Sequence, residues 1–153
     1  MQANSQVCTV LELSAKVEYT LLALLELASH QNKPYPLTSA AINEKHHIPE
    51  RYLEQILAIL RRGGLVRSLR GSRGGFVLAR EPHEITLLEI ITLMDGERKQ
   101  RSLENTPTIE REIIYKVWDE NNLRSQEFLG SITLSNLRQQ RDARIESHPM
   151  YYI

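Results

Sequence analysis

The chain has 153 residues, enough for one domain with an appendage and for a core that needs neither disulfides nor metals. Its 19 basic and 19 acidic residues cancel, so overall charge indicates no class of partner. The single cysteine, Cys8, excludes an intrachain disulfide. The absence of a recognisable secretory signal, and of an apolar run near the roughly 20 residues that span a bilayer, predicts a cytoplasmic protein with no membrane partner.

The charges are distributed unevenly along the chain. Residues 45–80 hold eight basic side chains against two acidic ones, a net charge of +6, which leaves −6 for the remainder. A basic segment on an acidic scaffold is typical of a surface that contacts nucleic acid. This distribution favours double-stranded DNA as a partner.

The N-terminal third begins with a polar arm at residues 1–10 and continues with a helix. Ser14 is a suitable N-cap for a helix that reaches Ser29. Apolar residues recur at helical spacing along it, which predicts one buried face: Val17, Leu21, Leu24, Leu25 and Ala28.

A short helix, a turn and an amphipathic helix follow. Thr38 can cap a helix over Ser39–Lys45, His46-His47 would lie in the turn, and Pro49 suits the first position of a helix over Pro49–Arg62. This order is the helix-turn-helix pattern. The last helix has an apolar face and a polar face: Leu53, Ile56, Leu57 and Leu60 against Arg51, Glu54, Gln55, Ala58 and Arg62.

A basic hairpin is predicted directly after this helix. Gly63-Gly64 predict the helix end, and short strands are expected at Leu65–Leu69 and Phe76–Ala79. The turn at 70–75 contains three glycines, which supply the positive φ values of a tight turn. A helix thin enough for the major groove beside a basic hairpin is typical of proteins that read DNA.

The C-terminal half predicts an association surface. A capping box at Thr86-Leu87-Leu88-Glu89 opens a helix that ends at Asp95 before Gly96. A long helix is expected from Thr106-Pro107, and a short final helix at Thr133–Gln140. The long helix carries an apolar stripe that predicts packing against a second subunit: Ile109, Ile113, Ile114, Val117 and Trp118.

Together these elements predict a mainly α fold with a small β-wing. The expected organisation is an N-terminal arm at 1–10, a winged helix-turn-helix DNA-binding domain at 11–96, a linker and dimerisation helix region at 97–141, and a tail at 142–153.

Three runs of the sequence together resemble one protein family: LSAKVEYTLLALLELA, YLEQILAILRRGGLVRSLRGSRGGFVLAR and ITLLEIITLMDG. They are similar to the IscR/NsrR/CymR-type bacterial winged-helix regulators, which include repressors of iron–sulfur assembly, nitric-oxide stress and cysteine metabolism genes. The resemblance is strong over Leu11–Gly96 and weaker through Trp118 and Thr133–Leu137. It implies a homodimeric repressor whose long C-terminal helices cross and whose recognition helices read a palindromic operator.

The resemblance also implies which residues contact DNA. Glu54 would accept from a cytosine amino group, Gln55 would pair with adenine or bond a phosphate, and Arg70 would enter the minor groove. Four residues would face the major groove: Arg51, Tyr52, Glu54 and Gln55. Three would act in the wing: Arg70, Ser72 and Arg73. Of these, Ser72 and Arg73 would hold phosphate.

One departure from the family pattern concerns the cofactor. Cluster-binding members carry three cysteines before the long helix, whereas residues 97–118 contain none here. Thiolates are the normal ligands of iron–sulfur clusters, so the expected cofactor is none. Glu18 occupies the position where some members use a carboxylate ligand. The chain thus looks more like the clusterless branch, with a small-molecule effector, a protein effector or no intrinsic signal.

Several residues allow a second interpretation. Arg61 and Arg62 could contact DNA or merely complement the helix dipole. His46-His47 could bind a metal, but two exposed turn histidines are the expected state, because no other ligand cluster has matching spacing. Cys8 could be a redox switch or an ordinary cysteine. Trp118 could line an effector pocket, although its neighbours favour a dimer core.

Three functional hypotheses remain open on these grounds. An enzyme is not expected, because no nucleophile, phosphate-cradling or metal motif is present and Gly71–Gly75 lies between strands. The favoured function is a DNA-binding transcriptional repressor. The alternatives are a ligand- or metal-sensing variant of the same regulator, and a protein-interaction module that binds a metabolic enzyme.

Overall fold

The computed structural model describes residues 12–96 and 108–148. The predicted arm with Cys8, the linker and the last residues of the tail lie outside this range. The described parts form six α-helices, one 3-10 turn and one antiparallel two-stranded sheet, which confirms the predicted fold class. In chain order they are α1 (Ala15–Ser29), α2 (Ser39–His46), α3 (Glu50–Arg62), β1 (Val66–Leu69), β2 (Gly75–Leu78), the 3-10 turn (Pro82–Glu84), α4 (Leu87–Asp95), α5 (Ile109–Ser131) and α6 (Leu134–Ser147).

Helices α1 and α2 begin at the caps that the sequence predicts, whereas the cap of α5 is Thr108 rather than the expected Thr106-Pro107. Ser14 Oγ accepts from the amide of Val17 at 3.2 Å, and Thr38 Oγ1 accepts from the amide of Ala41 at 3.1 Å. Each cap satisfies one of the amides that a helix start leaves without an internal partner. Pro49 is the N-cap of α3 rather than its first helical residue.

The Gly63-Gly64 pair ends α3 as predicted. The amide of Leu65 donates to the Leu60 carbonyl at 3.0 Å, and the amide of Gly64 donates to the Arg61 carbonyl at 3.1 Å. These two bonds form a Schellman motif, which needs a left-handed residue. Gly64, with φ of 77°, supplies that conformation without a steric cost.

Helix α1 lies at the centre of the molecule and packs against α2, α3, α4 and α6. Val17, Leu24 and Ala28 of its predicted face are buried, whereas Leu21 and Leu25 are only partly buried. Leu27, outside the predicted stripe, is buried because neighbours cover α1 on several sides. The remaining core comes from the apolar face of α3, from the strands and from α4.

Four local predictions need correction. Helix α2 extends one residue further, through His46. The first strand begins one residue later than expected, at Val66, whereas the second begins one residue earlier, at Gly75, and ends at Leu78 rather than Ala79. The capping box at Thr86 is half formed: Thr86 accepts from the amide of Glu89, but the Glu89 carboxylate pairs with Arg80.

Helix α6 is longer than predicted and runs through Ser147, into the segment expected to be tail. Its start is a complete capping box between Thr133 and Asn136. The middle of the helix is held against α1 by Arg138 and Arg141, so a polar sequence with a weak helical pattern forms a regular helix. Across the two described ranges, no helix is long and apolar enough to cross a membrane.

Candidate nucleic-acid interface

Helix α3 presents one buried face and one free face, as its spacing predicts. Leu53, Ile56, Leu57 and Leu60 are buried in the core. The free face carries exposed charged and polar side chains around the half-buried Ala58: Arg51, Glu54, Gln55, Arg61 and Arg62. Because the apolar face anchors the helix, the free face is held in a fixed direction and is available to a groove.

Tyr52 differs from the other predicted groove residues because it is half-buried. Its ring packs edge-on against the ring of Tyr19 in α1, with 5.5 Å between the centroids and an angle of 81° between the planes. Such a T-shaped pair is a favourable aromatic arrangement. The ring of Tyr52 therefore fastens the first turn of α3 to α1, in addition to any contact that its hydroxyl makes with DNA.

The predicted wing is a regular hairpin anchored along its second strand. Strands β1 and β2 pair in the register Val66↔Leu78 to Leu69↔Gly75. Phe76 of β2 also pairs with Leu37, which directly precedes the cap of α2. The wing is thus attached by backbone hydrogen bonds to the entrance of the helix-turn-helix, and the sequence did not indicate this attachment.

The reason for the glycines of the wing turn differs from the prediction that all three supply positive φ values. Only Gly71 among them has a positive φ, of 110°. Gly74 and Gly75 are required for space: a Cβ on Gly74 would collide with the Leu69 carbonyl oxygen, and a Cβ on Gly75 would lie 2.7 Å from the Leu37 carbonyl oxygen. Close backbone approach, rather than dihedral freedom, explains these two.

The three predicted wing residues, Arg70, Ser72 and Arg73, are exposed at the hairpin end. Arg67 of β1 is exposed as well. Arg80 behaves differently, because its guanidinium pairs with the Glu89 carboxylate and donates to the Glu84 carbonyl at 2.9 Å. Arg80 therefore belongs to the protein's internal contacts, while the arginines of the turn remain available to phosphates.

The two histidines of the helix-turn-helix have different surroundings, which corrects the prediction of two exposed turn residues. His47 is exposed and adopts a left-handed conformation with φ of 52° at the end of α2. His46 belongs to α2, and its Nε2 lies 3.0 Å from Glu26 Oε1. A carboxylate accepts hydrogen bonds, so His46 Nε2 is the donor, and Glu26 is a partner that the sequence did not reveal.

No grouping of metal ligands supports a metal site at these histidines. Within residues 12–96 and 108–148, no three His, Cys, Asp or Glu side chains come together as ligands would. Two other side chains of types that bind metals do not join these histidines in such a group. His30 Nε2 donates to the Tyr35 carbonyl at 2.9 Å, and Glu18 is exposed on α1.

Helix α5 leaves its apolar residues uncovered. Not one of its 23 residues is buried against the described chain. Side chains of the predicted stripe are 55–74% exposed, and Leu123 and Phe128 extend the uncovered surface with 58% and 64%. Sequence reasoning missed these last two, although they continue the same helix.

The chain is similar to known transcriptional regulators over most of its length. Residues 13–140 match the Rrf2 family, described as "Iron-dependent Transcriptional regulator". The HTH-type transcriptional regulator CymR of Bacillus subtilis is 36% identical over 145 residues, which cover 94% of this chain and 100% of that protein.

Two solved structures are similar in fold and sequence. The structure of CymR, titled the global cysteine regulator of B. subtilis, has a TM-score of 0.70 and 34% identity, covering 86% of this chain and 98% of the other. The structure of T. potens IscR has a TM-score of 0.76 and 33% identity, covering 95% of this chain and 100% of the other. The anchored α3, the wing and these similarities lead to one conclusion: the chain belongs to the Rrf2 family of winged-helix, DNA-binding transcriptional regulators, which are not enzymes.

Proposed function

We propose that the protein is a homodimeric repressor that binds a palindromic operator without an iron–sulfur cluster. The observation that carries this proposal is the pairing of a free polar face on the anchored helix α3 with an exposed, arginine-bearing wing that follows it directly in the chain. A helix in the major groove reads base edges, and a basic hairpin beside it neutralises phosphates or enters the minor groove.

Base reading is assigned to the free face of α3. Glu54 would accept from the amino group of cytosine, and Gln55 would form two hydrogen bonds with adenine or hold a phosphate. Arg51, near the helix start, would contact a guanine or the backbone. The half-buried Ala58 in the centre of this face allows the helix to approach the groove closely.

The wing is assigned to the backbone and the minor groove. Arg70 would enter the minor groove, while Ser72 and Arg73 would hold phosphates. Each neutralised phosphate releases counterions, so binding is expected to weaken as salt rises. The pairing of Phe76 with Leu37 supports this role, because it keeps the wing in a fixed relation to the start of α2.

The homodimer is supported by the uncovered apolar surface of α5. Soluble monomers rarely expose so many large apolar side chains on one element. A second copy would cover them through a self-complementary two-fold interface, and two recognition helices related by that axis would match a palindrome. On this proposal Trp118 lies in the dimer core.

Regulation without a cluster is supported by the available ligands. Iron–sulfur clusters are held mainly by cysteine thiolates, and the whole chain contains one cysteine, Cys8. The ligand set therefore does not fit an iron–sulfur cluster. Absorption spectra and iron analysis of anaerobically purified protein test this point, and a stoichiometric cluster would contradict it.

The proposed repressor acts on chromosomal DNA in the cytoplasm and responds to a small-molecule or protein effector. A groove of about 530 Å³ lies between the wing and the segment before α2, with Tyr35, Phe76 and Arg67 among its lining residues. It is large enough for a small effector.

Selection of genomic fragments by the purified protein, followed by sequencing, tests the proposed function. We expect enrichment of a palindrome whose half-sites are about one helical turn apart. A folded dimer that enriches no sequence, with and without cell metabolites, would contradict operator binding. Co-purification of a metabolic enzyme in that case would favour the protein-interaction module.

A further inference from the structure

One carboxylate oxygen lies at the meeting point of three elements. Glu26 Oε1, in α1, lies 2.9 Å from Lys45 Nζ and 3.0 Å from His46 Nε2, both at the end of α2. The same oxygen lies 3.8 Å from Arg141 Nη2, in α6. The three partners are 19, 20 and 115 residues away in the chain, so only the tertiary fold brings them together.

The contacts are sheltered from solvent. The side chains of Glu26, His46 and Arg141 are 16%, 17% and 24% exposed, whereas Lys45 is half exposed. Charge interactions weaken less in such surroundings than on an open surface. Burial raises the pKa of Glu26, but hydrogen bonds from Lys45 and His46 and the nearby charges outweigh it, so the pKa is lowered below its ordinary value.

The cluster joins two parts of the fold that have different roles in the proposed function. Helix α2 is the first helix of the helix-turn-helix and packs against α3. Helix α6 directly follows α5, which carries the uncovered apolar surface. Glu26 therefore connects the DNA-reading unit with the C-terminal helices. A second link runs parallel to it, from Arg138 Nη1 to the Ala28 carbonyl at 3.1 Å.

We propose that Glu26 is a positioning residue for operator recognition, which holds α2 and α6 against α1 and so sets the spacing of half-sites that the dimer accepts. This inference rests on the proposed function as a homodimer on a palindrome. Glu26 itself has no role in contacting DNA. Its effect is exerted through the direction in which each α3 extends from the dimer axis.

Removal of the carboxylate charge produces more than the loss of one ion pair. Lys45 and Arg141 would then face one another without the anion between them, and like charges repel. The repulsion separates the end of α2 from α6, while the apolar core of each part stays intact. The reading units remain folded, but their angle to the C-terminal helices becomes less defined.

The experiment compares wild type with Glu26→Gln on three kinds of DNA: the selected operator, operators with one base pair added or removed between half-sites, and a single half-site. Glu146→Gln is the matched control, since Glu146 is an exposed carboxylate on α6. For Glu26→Gln we expect discrimination between correct and altered spacing to fall about fivefold, the low end of coupling between sites. Affinity for the single half-site should stay at the wild-type value.

Arg141→Gln provides a second variant that removes the α6 partner and leaves α2 untouched. It should relax the spacing preference in the same direction, and circular dichroism and sedimentation of both variants should match wild type. An equal loss of affinity on all three DNAs would assign Glu26 a merely structural role, and an unchanged spacing preference would also overturn the inference. Failure of the wild type to bind any palindrome would instead contradict the proposed function, and the inference with it.

Discussion

Leu37 and Phe76 exchange two backbone hydrogen bonds. The amide of Leu37 donates to the Phe76 carbonyl at 3.0 Å, and the amide of Phe76 donates to the Leu37 carbonyl at 2.8 Å. This pair fastens the wing to the residues that lead into α2. A hairpin of two four-residue strands is marginal by itself, so its orientation depends on this attachment.

Gly75→Ala is expected to disrupt that attachment. The new methyl group would lie 2.7 Å from the Leu37 carbonyl oxygen, a backbone atom that cannot move away cheaply. We expect a loss of unfolding free energy of about 1–3 kcal/mol, as for other overpacked sites, and weaker operator binding. Urea denaturation measures the first effect.

Gly130→Ala is the matched control for this substitution. Its methyl group would lie 3.5 Å from Leu88 Cδ2, an ordinary contact, and Gly130 is in helix α5. Alanine in a helix should stabilise by up to about 1 kcal/mol. Equal destabilisation by both variants would contradict the explanation based on the Leu37 carbonyl.

Arg70→Ala is expected to weaken operator binding several-fold and to make it less dependent on salt. A cation in the minor groove offsets the charge of the phosphates on either side, so its loss lowers the slope of log affinity against log salt by about 1, and a dimer loses one such cation in each subunit. Titrations at several salt concentrations measure the slope. Arg144→Ala, at an exposed position on α6, is the control and should leave the slope unchanged. If Arg70→Ala binds the operator as well as wild type does, the wing has no part in the mechanism.

Glu54→Ala is expected to relax base preference more than it lowers affinity. Its carboxylate is exposed on the free face of α3 and available to a cytosine amino group. Discrimination at that base pair should decrease by about 1–3 kcal/mol, measured by competition between operators that differ at one position. A uniform loss across all sequences would show that Glu54 supports the helix rather than reading a base.

Trp118→Glu is expected to convert the proposed dimer into a monomer. Trp118 is the only tryptophan of the chain and is 55% exposed in a single subunit, so its emission should shift to shorter wavelength as the wild type associates. Sedimentation and fluorescence across a dilution series measure both effects. Tyr35→Glu, at a side chain that is also 55% exposed, is the control and should remain dimeric. If Trp118→Glu is still a dimer, the interface lies elsewhere on the protein.

The Glu26 cluster predicts a loss of stability in acid. Because the pKa of Glu26 in the folded protein is lowered below 4.5, its contribution is fully present above that value and disappears as pH falls through the folded pKa. Denaturant midpoints of wild type and Glu26→Gln should therefore converge as pH falls below about 4.5 and the carboxylate becomes protonated in the folded protein. A difference that stays constant as the solution is acidified would mean that the carboxylate does not interact with its partners in the folded state.

Local sequence patterns determined the helix ends and the buried helix faces of this protein. The spacing of Leu53, Ile56, Leu57 and Leu60 determines which face of α3 is buried, because a helix repeats every 3.6 residues whatever surrounds it. Ser14, Thr38 and Gly64 mark helix ends through bonds to residues three positions away. Such features are readable because all their partners lie within one or two turns of the chain.

Contacts between distant segments were decided only by the tertiary structure. Tyr52 packs on Tyr19, Phe76 pairs with Leu37, and His46 binds Glu26. The sequence contains the residues of each pair, but it does not show how α1 packs. That packing selects the partner that each residue contacts. The DNA contacts stay a prediction in detail, because they depend on where a second molecule lies against α3 and the wing.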